Sequence, residues 1–569
     1  MSHIDWIVLL LVLSLIIIYG VRKGRGQTGA DSYLRAGRAM PWYMVLLGIM
    51  ATQASAITFI SGPGQAYADG MRFVQYYFGL PLAMIVISAV FVPIFQKLNV
   101  YTAYQYLDKR FNKNTRLFTG ILFLFSRGIS TGMSVYAPAI VLSAIFGWNI
   151  YLSNILVGGL LIIYTYGGGA KAIAHTQKIQ FSIILGAMAV AGVIVVLKMP
   201  EGVSFGDALY LAGKSGKLNV ITTNFDWNDK YNIWSGVIGG FFLALSYFGT
   251  DQSQVGRYLT AKNTRESRMG LLINGMVKIP MQFSILLIGA LLFAFYAFHQ
   301  APLSFNKKAE QVVATSMPEA YETLNREHVE VTKQQQETAL KLTALRHQQM
   351  TPSDAALEEQ YLARYHQLQT TIDSQRAQFG KIIENNKLPV EAKDTNYVFL
   401  HFVQHYLPVG MIGLLFAVVF LASWGSISAA LNSLASSTLI DFHMVLSRKQ
   451  YSPAEELRYG RLYTLIWGLF SIAVAMFATR MGSLIEAVNE LGSLFYGAIL
   501  GIFLTAFFLK KIQGTAVFFA AICAEVIVLI VYKMDLTGFL WLNVIGALSV
   551  MLLAICFQFF LLQKESEKA

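Results

Sequence analysis

Apolar runs without strand-like alternation recur from Ile7 to Leu562, separated by short polar loops. A stretch of about 20 apolar residues matches the hydrocarbon of a bilayer, and a segment there must satisfy its own backbone, so each run is read as a helix. Thirteen spans are expected, at approximately 4–21, 41–64, 72–97, 117–146, 150–167, 176–198, 232–256, 270–298, 405–440, 461–479, 484–509, 515–533 and 538–562. Composition agrees: 569 residues are 55% hydrophobic and 13% charged, with a mean hydropathy of +0.51. Those values exclude a soluble enzyme and predict an all-α polytopic membrane protein. The first run could pass for a cleaved leader, but its recurrence makes removal an unnecessary assumption.

The formal net charge of +12 is topological. Lys and Arg gather in alternate loops, at Arg22, Lys23, Arg25, Arg35 and Arg38, then Lys97 to Arg116, Arg257 to Arg268, Arg448 to Arg458, and Lys510 with Lys511. Basic loops stay cytoplasmic, so an odd number of spans puts the N-terminus outside and the tail at Lys564 inside a cell membrane. Basic residues confined to loops, without interleaved aromatics, exclude nucleic acid as a partner. Cys523 and Cys556 both lie in apolar runs, against a disulfide framework or metal cage.

One polar segment interrupts the series. Residues 301–399, rich in Gln and Glu, are expected on the external side. Tyr321, Leu324, Val331, Leu342 and Leu345, then Leu357, Tyr361, Leu368, Ile372, Phe379 and Ile382, recur at helical spacing around Thr351-Pro352-Ser353-Asp354, a turn with helix-start chemistry. An antiparallel helical hairpin follows, either a solvated cap without a ligand or a dock for a partner protein.

The remainder divides into a leading helix and loop (1–40), a five-span unit (41–198), an external loop (199–231), a second five-span unit (232–300 and 400–511) and two closing helices (512–569). An odd-numbered unit followed by its repeat is inverted in the membrane, a plan common among secondary transporters. The first helix of each unit carries breakers: Ser61-Gly62-Pro63-Gly64 in one, and Gly236, Gly239, Gly240 and Gly249-Thr250-Asp251-Gln252 in the other. Unwinding there would expose carbonyls and half-helix ends to an ion or polar solute; packing alone also explains Gly and Pro in spans. Asp251 within its span should have a partner or a watery cavity, or else lie near the cytoplasmic end and pair with Arg257. From Ala422 to Thr438 small residues and hydroxyls alternate. They suit close helix packing and could also offer oxygens to a hard monovalent cation.

Several segments then resemble one family in order. They are Tyr33 to Trp42 (YLRAGRAMPW), Ala51 to Ala56 (ATQASA), Tyr101 to Leu107 (YTAYQYL), Tyr136 to Ala139 (YAPA), Gly168 to Ala172 (GGAKA), Asp251-Gln252 leading to Arg257-Tyr258, and Leu431-Asn432-Ser433 with Asp441. The series resembles the sodium:solute symporter family, apart from the 301–399 insertion. The resemblance implies the inverted-repeat LeuT-type fold and uptake of a solute coupled to sodium entry. It also implies a sodium site made by the carbonyls of Ala51, Ala54 and Ala422 with two hydroxyls, here Gly425 and Ser426, so that one hydroxyl is missing unless water or Ser428 fills the place. Members with a second sodium site carry an Asp where this chain has Gln177, so at most one coupled sodium is expected.

Sugar-transporting members carry Gln, Glu and Ser where this chain has Thr58, Tyr77 and Leu80. Arg72 to Phe78 (RFVQYYF) is similar to the branch handling iodide, monocarboxylates and vitamins, which favours a small organic anion over a sugar. Gln53, Thr58, Gln75, Tyr76, Tyr77, Asp251 and Gln252 are the candidate solute contacts. One sodium moving through ~100 mV supplies ~2.3 kcal/mol, and a tenfold gradient adds roughly 1.4; a monovalent anion would cancel the electrical part. A transporter-like sensor reading occupancy through the hairpin is the rival class. A phosphate-loop pump is disfavoured, because Gly213-Lys214-Ser215 has Ala208 where the first Gly belongs.

Overall fold

The computed structural model describes residues 2–24, 38–98, 100–347, 352–449, 451–478 and 483–566. Arg25, Arg35, the start of the 33–42 motif and Thr351 lie outside them. The described residues are helical with no strand, and a single bridge pairs Met40 with Ala261.

The first helix, α1 (His3–Gly24), exposes Ile4, Ile7, Leu10, Leu11, Leu15 and Ile18, an apolar face for lipid. The bent pair α2 (Trp42–Gln53) and α3 (Ala56–Asp69) follows, then α4 (Met71–Leu98), the short α5 (Tyr104–Arg110) and α6 (Lys113–Phe146). Helix α7 runs from Ile150 to Leu197, yet the Tyr164 and Thr176 hydroxyls lie 2.8 Å apart. Twelve residues of straight helix rise about 18 Å, so α7 doubles back into two arms. After α8 (Phe205–Lys214) come α9 (Gly240–Thr250), α10 (Gln252–Tyr258) and α11 (Thr264–His299). The insertion holds α12 (Lys307–Ser316), α13 (Pro318–Arg346) and α14 (Pro352–Asn385). Then follow α15 (Val398–Tyr406), α16 (Met411–Ser437), α17 (Pro453–Ala475), α18 (Leu484–Phe508), α19 (Gly514–Lys533) and α20 (Phe539–Ser566).

Among the described residues nine helices are long and apolar enough to cross a bilayer, ten if the bent pair counts as one. The other three expected spans are shorter or less apolar: 150–166, 235–250 and α17, whose first turns hold Glu455, Glu456 and Arg458.

The structure corrects the position of the first break. The chain bends by 59° at Ala54 and Ser55, and α3 then continues through Ser61-Gly62-Pro63-Gly64. Those residues serve close approach. A side chain at Gly64 would collide with the carbonyl of Thr395, and one at Gly289 with the carbonyl of Pro63. Proline removes one helical bond, but packing at this distance holds the helix together around it. In the second unit the expected break does occur, at Asp251, which leaves the helix with φ −75° and ψ 120° and caps α10 by accepting the Ser253 N–H at 2.8 Å.

The insertion is the expected hairpin, α13 against α14, with Leu324, Leu342, Leu368, Ile372 and Phe379 buried. Its apolar residues pack on the same chain: Leu342 and Tyr365 meet Ala297 and Phe298 at the end of α11. A cation contact adds to the seat, since the Arg376 guanidinium lies 4.5 Å over Phe305 and bonds Asp394 at 2.6 Å. The 199–231 segment carries α8, capped reciprocally by Ser204 and Asp207, and the Asp207 carboxylate accepts from Arg346 at 2.7 Å. Hydrogen bonds from Ser204 and His347 hold that carboxyl below its ordinary range, although burial opposes them. Gly213-Lys214-Ser215 is thus the end of a helix.

Candidate functional site

A cavity lies among α2, α3, α4, α6, α9, α11, α16 and α18. The bend between α2 and α3 opens into it. In an unbroken helix the Ala51 carbonyl would accept the Ser55 N–H, and the Ala54 carbonyl that of Thr58. Here the Ser55 N–H donates to Gln53 O at 2.9 Å and the Thr58 N–H to Ser55 O at 3.0 Å. The carbonyls of Ala51 and Ala54 are released by this rearrangement. Gln53 lines the cavity with an amide nitrogen that is buried and makes no hydrogen bond. Thr58, Tyr76 and Tyr77 line it too, and the Tyr76 hydroxyl donates to Asn489 at 3.1 Å.

Across the cavity, α16 contributes Ser426, whose hydroxyl donates to Ala422 O at 3.0 Å and keeps lone pairs for a cation. Ser428 faces elsewhere, accepting the Thr165 hydroxyl at 3.0 Å, so it does not make up for Gly425. The Gly425 carbonyl accepts the Gln177 amide at 3.0 Å. Broken-helix carbonyls and a serine hydroxyl are oxygen donors of the kind a hard cation takes.

Three candidates lie outside the cavity wall. Gln75 is fully buried, bonding Tyr231 O at 2.8 Å and the Thr222 N–H at 3.1 Å. Gln252 fastens the segment before α5, accepting from Ala103 N at 3.0 Å and donating to Tyr101 O at 2.9 Å. Asp251 does not pair with Arg257. Its carboxylate takes the Arg127 guanidinium of α6 through Nε at 3.0 Å and through Nη2, and accepts the Tyr496 hydroxyl at 3.1 Å. Arg257 is buried with an unbonded Nε.

Arg127 and Lys278 both line the cavity, and neither was among the expected contacts. The cost of a charge at depth, which singles out Asp251, singles them out equally, since each is a lone cation in an apolar span. Lys278, on α11, is 1% exposed, has no carboxylate partner among the described residues, and its ammonium stands 5.3 Å from the Tyr77 ring. Hydrogen bonds span both ends of the cavity. Toward the hairpin, Gln65 donates to Glu486 at 3.1 Å and Lys230 reaches Glu490 at 3.0 Å. At the far end, the Tyr104 hydroxyl donates to Thr250 O at 3.0 Å.

A model of the sodium:solute symporter family matches residues 33–330 and 383–524. The sodium/sialic acid symporter of Aliivibrio fischeri is 24% identical over 555 residues, covering 96% of this chain and 92% of its own. That of Proteus mirabilis is 24% identical over 558 residues, covering 97% and 94%. The solved substrate-bound, outward-open structure of a Na+-coupled sialic acid symporter superposes with a TM-score of 0.74 at 21% identity, covering 97% of both chains.

Proposed function

The chain belongs to the sodium:solute symporter family, and we propose on that footing that its cargo is an organic anion bound in the central cavity through Lys278. It is a multi-pass, sodium-coupled solute symporter and not an enzyme. The observation that carries the anion reading is the lone ammonium of Lys278. Arg127 already faces the Asp251 carboxylate, so Lys278 is the basic side chain of the cavity that has no carboxylate partner among the described residues. A buried charge without a partner is costly, and an incoming carboxylate would supply one.

The cavity wall also offers Thr58, Ser130, Thr131 and Asn489, groups suited to a polyol. Sialic acid, named for the relatives aligned over nearly the whole chain, is a carboxylated sugar and uses both features. We therefore favour an acidic sugar over the simple monocarboxylate or vitamin expected from Arg72 to Phe78. Sodium binds at the carbonyls of Ala51, Ala54 and Ala422 with the Ser426 hydroxyl. The ion and the solute stabilise the cavity-closed arrangement, and breaking the Gln65–Glu486 side or the Tyr104–Thr250 side opens it to one face or the other. The membrane is the cell membrane, with the N-terminus and hairpin outside and the C-terminus inside, following the basic loops. No protein partner is assigned to the hairpin.

Proteoliposomes with an inward sodium gradient test this reading. A carboxylated sugar should accumulate while its neutral parent sugar does not. One sodium per monoanion carries no net charge, so an imposed voltage should leave the rate unchanged. Preference for the neutral sugar would refute the assignment.

A further inference from the structure

A hard cation gathers about six oxygens. The ion corner proposed above, on whose reading this inference rests, offers the Ala51, Ala54 and Ala422 carbonyls and the Ser426 hydroxyl, and no side chain projects from Gly425. The space in front of Gly425 is not empty. A Cβ built there would lie 2.9 Å from the amide oxygen of Gln180, on the second arm of α7. Gln180 is 1% exposed, its amide oxygen makes no hydrogen bond, and the one polar group among the described residues that interacts with its amide is the Tyr164 hydroxyl. A buried, unsatisfied amide is expensive, and a site that keeps one usually has a use for it.

Gln177, one turn earlier, explains how that arm is held. Its amide nitrogen donates to the Gly425 carbonyl at 3.0 Å and lies 3.4 Å from the Thr52 hydroxyl, fastening α7 to α16 and α2 at this level. Donors directed at those acceptors make Gln177 a positioning residue; its own amide oxygen is also unbonded but lies beside Gly48 on α2, whereas the Gln180 oxygen is the one in front of Gly425. We propose that Gln180 is a sodium ligand, its amide oxygen reaching through the space left by Gly425 to supply the donor that position 425 lacks. An amide oxygen is neutral and a good ligand for a hard cation, so the site is completed from α7 without adding charge.

The test uses the full chain purified in detergent, titrated with sodium chloride against potassium chloride at constant ionic strength, with thermal stabilisation giving the apparent sodium Kd. Gln180→Met, of equal length but without oxygen, should raise that Kd by about tenfold while solute binding at saturating sodium is retained. Gln180→Glu, which keeps an oxygen, should bind sodium at least as well as the parent. Gln180→Ala should be weak, and Gly425→Ser added to it should recover sodium affinity by placing a hydroxyl in the vacated space. That rescue keeps the test open if the methionine variant does not fold. Should Ser426→Ala lose the sodium response while Gln180→Met titrates like the parent, the ligand role of Gln180 is wrong and the ion corner stands. Should both titrate like the parent, the corner itself is misplaced and the proposal goes with it.

Discussion

The two helix breaks stand at matched places in the sequence and are used in opposite ways. At Ala54 and Ser55 the backbone releases the Ala51 and Ala54 carbonyls, and Gln53, which lines the cavity, has an unbonded amide nitrogen. At Asp251 the neighbouring helices supply partners: the carboxylate caps α10, pairs with Arg127 and accepts Tyr496, the Thr250 carbonyl accepts the Tyr104 hydroxyl, and Gln252 bridges to the segment before α5. The first break is open to ligands and the second is closed by the protein itself. A break is therefore a source of unpaired polar groups, and only the neighbouring helices decide whether ligands or side chains satisfy them.

Substitutions on each side can separate the two uses. Asp251→Ala should have the largest effect on stability, a loss of about 3–5 kcal/mol, because it strands Arg127 in a buried site; chemical unfolding in detergent would measure it. A stability near that of the parent would show the second break to be less closed than its contacts indicate. Lys278→Met should leave folding and sodium binding intact and weaken anion binding by about 2 kcal/mol or more, roughly 30-fold, measured by calorimetry. Gln252→Leu should destabilise by about 1–3 kcal/mol, through the unbonded Ala103 N–H and Tyr101 carbonyl, without changing solute affinity. Gln53→Ala should show the reverse: little change in stability, since its amide nitrogen is already unpaired, and a loss of about 0.5–1.5 kcal/mol in solute affinity. If Gln53→Ala and Gln252→Leu behaved alike, the contrast between the breaks would fail.

Much of the fold was legible along the chain, because apolar length, loop charge and an ordered series of motifs are local properties. The hairpin was legible for the same reason, down to Leu324, Leu368 and Phe379 on its inner face. The break in the first unit was misplaced by several residues. Gly62, Pro63 and Gly64 look like breakers in isolation, but α11 and Thr395 pack so closely that the small residues keep α3 intact. Of the candidate solute contacts, the cavity takes Gln53, Thr58, Tyr76 and Tyr77, whereas Gln75, Asp251 and Gln252 have partners elsewhere. A glutamine in a span looks the same in sequence whether its amide faces water or a backbone carbonyl.

The amino-acid order by itself determined that this chain is a polytopic helical protein, that its two units begin with interrupted helices, and that it belongs among sodium:solute symporters. Each of those follows from residues near one another in the chain. Only the tertiary structure decided which charges and amides are neutralised. Arg127 meets Asp251 across 124 positions and Gln177 meets Gly425 across 248, while Lys278 meets no carboxylate among the described residues. Electrostatic and hydrogen-bond energies depend on distance in space, which the linear order does not contain.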